Sequence, residues 1–488
     1  MKFLSTGNKS KKYVRILAVV LAAIFILACL SSVIPFLANA SSSSSHNYNS
    51  DKIIRIGINY NSKGTNSLVS SASAKFDNGF QLGTFDSSSN TFTAFSSFSL
   101  NEVTIRSSSD PSVIAFFSGE NLIYTYTCNE NPVFLRAEDS GTQNSGKIYL
   151  SDGNTYSGLL GLSRSGSENI SIINYLYLED YVKGVLVSEI FPSWPEESLK
   201  VAAVIARTFA LYNIISHSQA GFDICNTTHC QCFDGVGNTS ASTNAATDAT
   251  RGLIVKYNGS PALTTYFSSC ADTTESAEGA WGGDSSKYPY LTNVDLGFDI
   301  TESVPNGRWS YTVTATELTD YINSKSAYAG KLSGKVEKIV CERRPGSPYV
   351  YKLTVTDNLG NSIEVTKSSS VRNFLFKYCK SANFTVSVQT SILLNNNEEC
   401  TLDSQNLYVI SSSGTQTVSA FNDNFKVLTS DGLKKVTTGS ETVFTIQGYG
   451  YGHGVGLSQY GNKYLAENGY TYENIINIFY PGTEISHY

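Results

Sequence analysis

The 488-residue chain carries 35 Lys and Arg against 41 Asp and Glu, a net charge of −6, with 41% hydrophobic and 16% charged residues. Such a chain buries a core rather than staying wholly disordered, and its acidic balance supplies no basic field for nucleic acid. Its length accommodates two or three domains, and 30 Tyr with 25 Phe suit β-sheet packing.

At the N-terminus Lys9, Lys11, Lys12 and Arg15 precede an apolar run from Ile16 to about Leu30, and Ala38-Asn39-Ala40 supplies small residues for cleavage. Residues 1–40 are therefore expected to be a signal peptide or, uncleaved, a membrane anchor. The remainder is expected to be exported, either membrane-anchored or secreted. Cys29 lies within this leader, leaving eight of the nine cysteines, an even number that permits disulfides outside the cell. Residues 41–51, rich in Ser, Asn and His, read as a linker. From Ile53 apolar and polar residues alternate, and short strands with Gly, Ser, Asn and Asp turns continue, so residues 52–148 are expected to be a β-rich region.

Residues 149–488 read as an α+β core of mixed helix and antiparallel sheet. Ile170 to Tyr177 is a predicted strand. Between Leu178 and His217 the pattern predicts two helices joined by a Pro-Ser-Trp-Pro elbow. In the first, Val182, Val185, Leu186 and Ile190 form an apolar stripe at i, i+3, i+4 and i+8. Glu189 fills the missing i+7 place. A carboxyl there is costly unless paired or protonated, and desolvation raises its pKa toward that of a general acid. Two structural alternatives stand beside that reading: the side chain bends out to water, or it pairs with Arg207. Ser193 and Glu196 have capping-box spacing, with Pro195 in the first turn of the second helix. Ala202, Ala206 and Ala210 leave room for another backbone, and Arg207, one place off that row, is aimed at Glu189 or at a substrate.

A Cys/His-rich loop, 225–232, precedes an Ala-rich helix from Ala241 to Thr250. Strands are expected at Leu253–Tyr257, Ala262–Ser268, Trp309–Thr314, Val336–Glu342 and Tyr349–Thr356. Helices are expected from Thr316 to Ser324 and from Tyr472 to Phe479. Residues 390–440 read as a polar, β-rich insertion. From Gly448 to Gly456 glycine recurs at alternate positions, which permits positive φ and close backbone approach. Gly-Lys-Ser/Thr does not follow, so this is no phosphate loop. His453, Ser458, Gln459 and Tyr460 on such a loop suit sugar hydroxyls and acetamides; the alternative is a tight structural loop with His453 packed inside it.

Leu178 to Val185 followed by Glu189, then Ala206-Arg207-Thr208-Phe209-Ala210, resembles the SpoIID/LytB family of stage II sporulation protein D and the amidase enhancers. Gly452 to Gly461 is similar to that family's second signature, and His229-Cys230-Gln231 and Tyr266 to Cys270 resemble two weaker motifs. The resemblance spans roughly Tyr149 to Ile485. It implies a cell-wall-facing lytic transglycosylase of peptidoglycan, active in septal wall remodelling during engulfment beside a wall amidase that removes stem peptides. Glu189 would be its acid and then base, and the muramyl 6-hydroxyl would attack its own C1. A single carboxylate fits such intramolecular attack, whereas ordinary glycosidases need two. Arg207, His453, Ser458, Gln459 and Tyr460 are then the substrate-binding candidates. The chemistry requires no cofactor. Some sporulation members hold zinc through His and Cys, for which His217, Cys225 and Cys230 are candidates, with His229 and Cys232 nearby; a disulfide such as Cys230 to Cys270 is the alternative. The amidase enhancer, a non-catalytic glycan-binding module, is the rival function. A zinc hydrolase is excluded by the lack of H-E-x-x-H.

Overall fold

The computed structural model describes residues 52–58, 69–128, 131–138, 146–166, 168–214, 216–299, 301–388 and 442–488 in full, and between 389 and 435 only backbone strands. The expected leader and linker, and the side chains of the polar insertion, lie outside the described residues. Among the described residues no helix is long and apolar enough to cross a membrane. The fold is mixed α+β with mostly antiparallel sheets.

The strand entering the helix pair is central to a seven-stranded sheet. Asn169–Tyr177 pairs with Leu159–Ser165 on one side and with Ile53–Gly57 on the other. Ile53–Gly57 in turn takes Ile224–Cys225 as a parallel edge neighbour. Period-2 alternation sends Ile54, Ile56, Ile170, Ile172 and Leu176 inward, each at most 1% exposed. A second sheet includes Ser71–Lys75, Glu102–Ser107, Val113–Ser118 and Ile148–Leu150, and its Ala74, Val103, Ile105 and Phe116 join the same core. The boundary expected near residue 148 therefore falls inside a strand, and one core unites residues 54–176 with the helices that follow.

Helix α1, Leu178–Glu189, continues directly from that strand; Glu179 and Asp180 in its first turn complement the helix dipole. It stops at Glu189 because Ile190 turns extended, with φ −141°. Helix α2, Glu196–Tyr212, does not carry the expected capping box. Pro195 itself is the N-cap, with ψ 145°, which leaves Ser193 two residues outside. Glu196 pairs with Lys200 at 2.7 Å instead.

Arg207 also departs from expectation. It is fully buried, and its guanidinium forks onto Glu179 at the start of α1, with Nη2 to Oε2 at 2.7 Å and Nε to Oε1 at 2.9 Å. Its Nη1 donates to the carbonyl of Leu253, while Gly252 N–H donates to Glu179. The pair clamps α1, α2 and the strand Leu253–Tyr257 together at the helix end away from Glu189. Arg207 is therefore neither a partner of Glu189 nor open to substrate.

Helix α3, Ala241–Ala249, lies against α1 and α2. Of the strand expected over 262–268 only Tyr266–Phe267 forms, pairing parallel with Leu457–Ser458 and so drawing the Gly-rich loop beside α1 and α2. Short helix α4, Ala277–Trp281, precedes a second core built on Arg308–Thr314, Val336–Arg343, Val350–Asp357 and Val443–Tyr449, with helices α5, Ala315–Asn323, and α6, Ser368–Phe374. Helices α7, Gln459–Glu467, and α8, Tyr472–Phe479, return to α2, and Glu484–His487 pairs with Leu253–Tyr257.

Removing one partner of a buried ion pair leaves the other charge unsolvated, at a cost of roughly 3–5 kcal/mol. Arg207→Ala should therefore lower unfolding free energy by about that much in chemical denaturation. A fully stable Arg207→Ala protein that had lost only ligand binding would return Arg207 to the substrate-binding residues.

Candidate active site

Glu189 is half-buried at the C-terminus of α1, and three distant segments converge on it. The backbone N–H of Cys232 donates to Oε1 at 2.9 Å. The Cys232 thiol and the Tyr266 hydroxyl also hydrogen-bond the carboxylate. Gln459, first residue of α7, donates from Nε2 to the Glu189 backbone carbonyl at 2.9 Å. Behind the carboxyl lies a water-sized, mainly apolar cavity of about 20 Å³, bounded by Val185, Ile190, Ala202, Ile205, Tyr266 and Leu457. Burial pushes the Glu189 carboxyl above its ordinary range; the Cys232 and Tyr266 hydrogen bonds oppose this, and the charge of Asp234 reinforces it. Asp234 is an exposed second carboxylate, 3.4 Å from the Ser188 hydroxyl, brought in by the Cys/His loop rather than by the α1 stripe.

A hydrogen-bonded relay supports the site. Tyr181 of α1 donates to Gln231 Oε1 at 3.1 Å, and Gln231 Nε2 donates to the Tyr266 hydroxyl at 3.4 Å. Tyr266 and Tyr181 are enclosed, and burial holds both phenols well above their ordinary range, so they stay protonated donors. On the solvent side Phe191 and Trp194 of the elbow and Tyr460 of α7 form an aromatic wall. The Trp194 ring centroid lies 5.0 Å from that of Tyr460 and 5.7 Å from that of Phe191, which is 59% exposed.

The other expected contacts separate into two groups. Gln459 and Tyr460 reach the Glu189 side of the cleft. Ser458 does not: it is fully buried and caps α7 by accepting from Gly461 N–H at 3.1 Å. His453 is turned into its own loop, where Nδ1 accepts from Val455 N–H at 3.0 Å. Burial, then the nearby Arg372 charge, pulls its pKa down to about 4, so the ring is neutral at physiological pH. The loop needs its glycines. Gly452 has φ +121°, and a Cβ on Gly456 would stand 2.1 Å from the Thr265 carbonyl oxygen.

His217, Cys225 and Cys230 do meet, and His229 joins them. One donor atom from each lies within 4.8 Å of all the others. His217 Nε2 is 3.2 Å from Cys230 Sγ, and His229 Nδ1 is 3.6 Å from Cys225 Sγ and 3.5 Å from Cys230 Sγ. Those separations are near the edges of a tetrahedron whose centre lies about 2.0–2.3 Å from N and S donors, the dimensions of a closed zinc site. A hydrogen bond from Cys230 draws the Cys225 thiol down to about 4, so a thiolate is already favoured. No disulfide forms among the described cysteines; the pairing considered for Cys230 and Cys270 is not present.

Cys232, Gln231, Tyr266, Tyr181, Phe191 and Trp194 are the site residues that sequence reasoning missed. The available signals were the weak motifs at 229–231 and 266–270 and the two aromatics of the elbow, read there only as a turn.

The profile of the family described as stage II sporulation protein matches residues 166–257, the span from the central strand through both helices and the Cys/His loop. An amidase enhancer of Bacillus subtilis is 29% identical over 63% of this chain and 40% of its own length. Stage II sporulation protein D of the same organism is 26% identical over 63% of this chain and 74% of its own. An uncharacterised Brachyspira hyodysenteriae protein is 28% identical over 74% of this chain and 81% of its own. These similarities support the resemblance to the SpoIID/LytB family.

The raised carboxyl pKa has a stability consequence. With the folded pKa above the unfolded one, the folded state binds the extra proton, so this contribution is fully present below the unfolded value of about 4.3 and is lost as pH rises through the folded pKa. Glu189→Gln removes the loss. The melting temperature of the Gln variant minus that of the parent should grow as pH rises from about 4 to about 8. A difference independent of pH would mean that the carboxyl is solvated.

Proposed function

We propose that this chain is an exported lytic transglycosylase that cleaves the glycan of peptidoglycan between N-acetylmuramic acid and N-acetylglucosamine. The observation that carries the reading is a carboxyl whose pKa is raised by burial, opening between an aromatic wall and an apolar cavity. Glu189 gives its proton to the glycosidic oxygen as the C1–O bond breaks. The muramyl 6-hydroxyl attacks C1 and closes the 1,6-anhydro ring. The proton of that hydroxyl returns to Glu189, which ends as it began. Cys232 N–H and Tyr266 stabilise the transient carboxylate, and Trp194 and Tyr460 offer faces for the sugar rings. In the family context the setting is wall remodelling at the sporulation septum, in concert with a wall amidase, by a chain either secreted or held by its N-terminal segment.

The same reading includes a structural zinc. The donor set of two Cys and two His fits a closed four-ligand site held by His217, Cys225, His229 and Cys230. Bound there, zinc would brace the loop that presents Cys232 to Glu189. Purified protein should contain about one zinc per chain. Cys225→Ser or a chelator should remove it and lower the melting temperature, as expected where metal binding contributes folding free energy. Full stability without metal would show the cluster to be only a thiol-rich loop.

The second reading, a non-catalytic amidase enhancer, is favoured by the similarity to the protein of that name. Peptide-free glycan digested with the full chain and examined by mass spectrometry separates the two. Anhydro-muramyl ends are expected, and Glu189→Gln should reduce their formation by about 10² to 10⁴ while glycan binding survives. Reducing ends would instead identify water as nucleophile, with Asp234 as the base to test. Binding without cleavage by the parent chain would establish the enhancer reading.

A further inference from the structure

A cluster of cations beside the Gly-rich loop has no part in the chemistry at Glu189. Arg372 lies in α6 and is half-buried. Its Nε donates to the Lys380 carbonyl at 2.8 Å, and that same oxygen accepts from Gly452 N–H at 3.1 Å. The guanidinium is thus fixed to the loop. Among the described residues its terminal nitrogens donate no hydrogen bond and no carboxylate pairs with it. It lies 6.0 Å from the ring centroid of Tyr451, and Lys380 Nζ lies 5.8 Å from the same centroid. Tyr451 is 41% exposed. Lys367 holds the left-handed φ of 76°, rare for a side chain of its length, and its stem lies on Gly282 next to Trp281. Trp281 and His453 have ring centroids 5.7 Å apart.

The position of this cluster follows from Tyr266. Its hydroxyl is at Glu189 and its backbone at His453, so one residue spans from the reacting carboxyl to the cationic shelf. An immobilised guanidinium with its fork open, beside an exposed aromatic face, is the combination that holds a planar anion carried on a sugar ring. The chain as a whole is acidic, so the shelf is a local reversal of charge rather than part of a basic surface.

We propose that Arg372, flanked by Lys380 and with Tyr451 as ring platform, is a subsite for a carboxylate-bearing residue of the glycan strand. This rests on the glycan reading of the Glu189 cleft. The carboxylate has two sources in such a strand: the lactyl ether of a muramyl residue whose peptide has been removed, or the stem peptide itself.

The test uses the full chain carrying Glu189→Gln, so that strands bind without being cut. Its affinity is measured for peptide-free strands, for the same strands with their carboxyls amidated, and for peptide-bearing strands. Arg372→Gln in that background should weaken binding to carboxylated strands about tenfold or more, the scale of a lost charge-assisted hydrogen bond. Amidated strands should bind equally with and without the change. Loss on peptide-free strands assigns the lactyl carboxylate; loss confined to peptide-bearing strands assigns the stem peptide. Lys380→Gln should give a smaller loss of the same pattern and carries the test if Arg372→Gln does not fold. Equal loss on amidated and carboxylated strands, or no loss on either, overturns the subsite while leaving the glycan reading intact. Failure of the Glu189→Gln chain to bind any strand overturns both.

Discussion

A carboxyl that is desolvated yet given few donors is the constraint on which the rest of this structure depends. The chain contains its own contrast. Asp357 is also removed from solvent, but four backbone N–H groups and the amide of Asn361 donate to it, and despite its burial these hydrogen bonds hold it well below the ordinary range. Glu189 receives one backbone N–H, one thiol and one phenol, and there burial wins. The number of donors separates a carboxylate that fixes a turn from one that can deliver a proton. Burial also raises the pKa of Asp180 and of Glu275, but Glu275, at 1% exposure and bonded to Ser276, Asn293 and Ser347, has no opening to a ligand.

Keeping Glu189 in that state requires that its neighbours be held without adding charge. The Arg207–Glu179 pair does this from a distance: it joins α1 to α2 through strong, directional bonds while its net charge is zero and its position is the far end of the helix. Near Glu189 the joining is done by neutral groups, Gln459 on the backbone carbonyl and the Tyr181–Gln231–Tyr266 relay. Had Arg207 pointed the other way, an opposite charge would have pulled the Glu189 pKa down and undone the effect of burial.

Local pattern made much of this legible. The period-3.6 stripe located α1 and singled out Glu189, and the apolar alternation after Ile53 announced the sheet that feeds it. What the pattern could not give was which end of α1 meets Arg207, because that depends on how two helices cross rather than on the face of either. The capping box failed for a local reason: Pro195 takes the extended N-cap conformation itself, which excludes Ser193 from the role. Ser458 was read as a sugar contact because it is polar and stands on a Gly-rich loop, but it is spent on capping α7. The boundary near residue 148 follows the start of the family resemblance at Tyr149, whereas strand pairing between Ile53–Gly57 and Asn169–Tyr177 crosses it without regard to sequence distance. Cys232 and Tyr266 were hidden because each acts through a contact with a residue more than forty positions away.

The Cys/His loop links the last two pieces. It begins on the edge strand Ile224–Cys225, where Cys225 is in register with Gly57, and closes when Phe233 N–H donates to the Asn226 carbonyl. Within those few residues it must supply Cys225, His229 and Cys230 to one point and Cys232 N–H to another. A short loop that meets both demands has little freedom left, so whatever fixes the sulfur and nitrogen donors also fixes the Cys232 N–H that donates to Glu189. Loosening that loop would leave the carboxyl in the same apolar surroundings but without its N–H, and its charged form, reached in the proposed reaction when the proton is given up, would become harder to reach. In the proposed reaction the loop would therefore act on the first half of the proton cycle, when Glu189 gives up its proton, more than on the second. That asymmetry follows from geometry, since a protonated carboxyl can spare an acceptor bond and a carboxylate in an apolar pocket cannot.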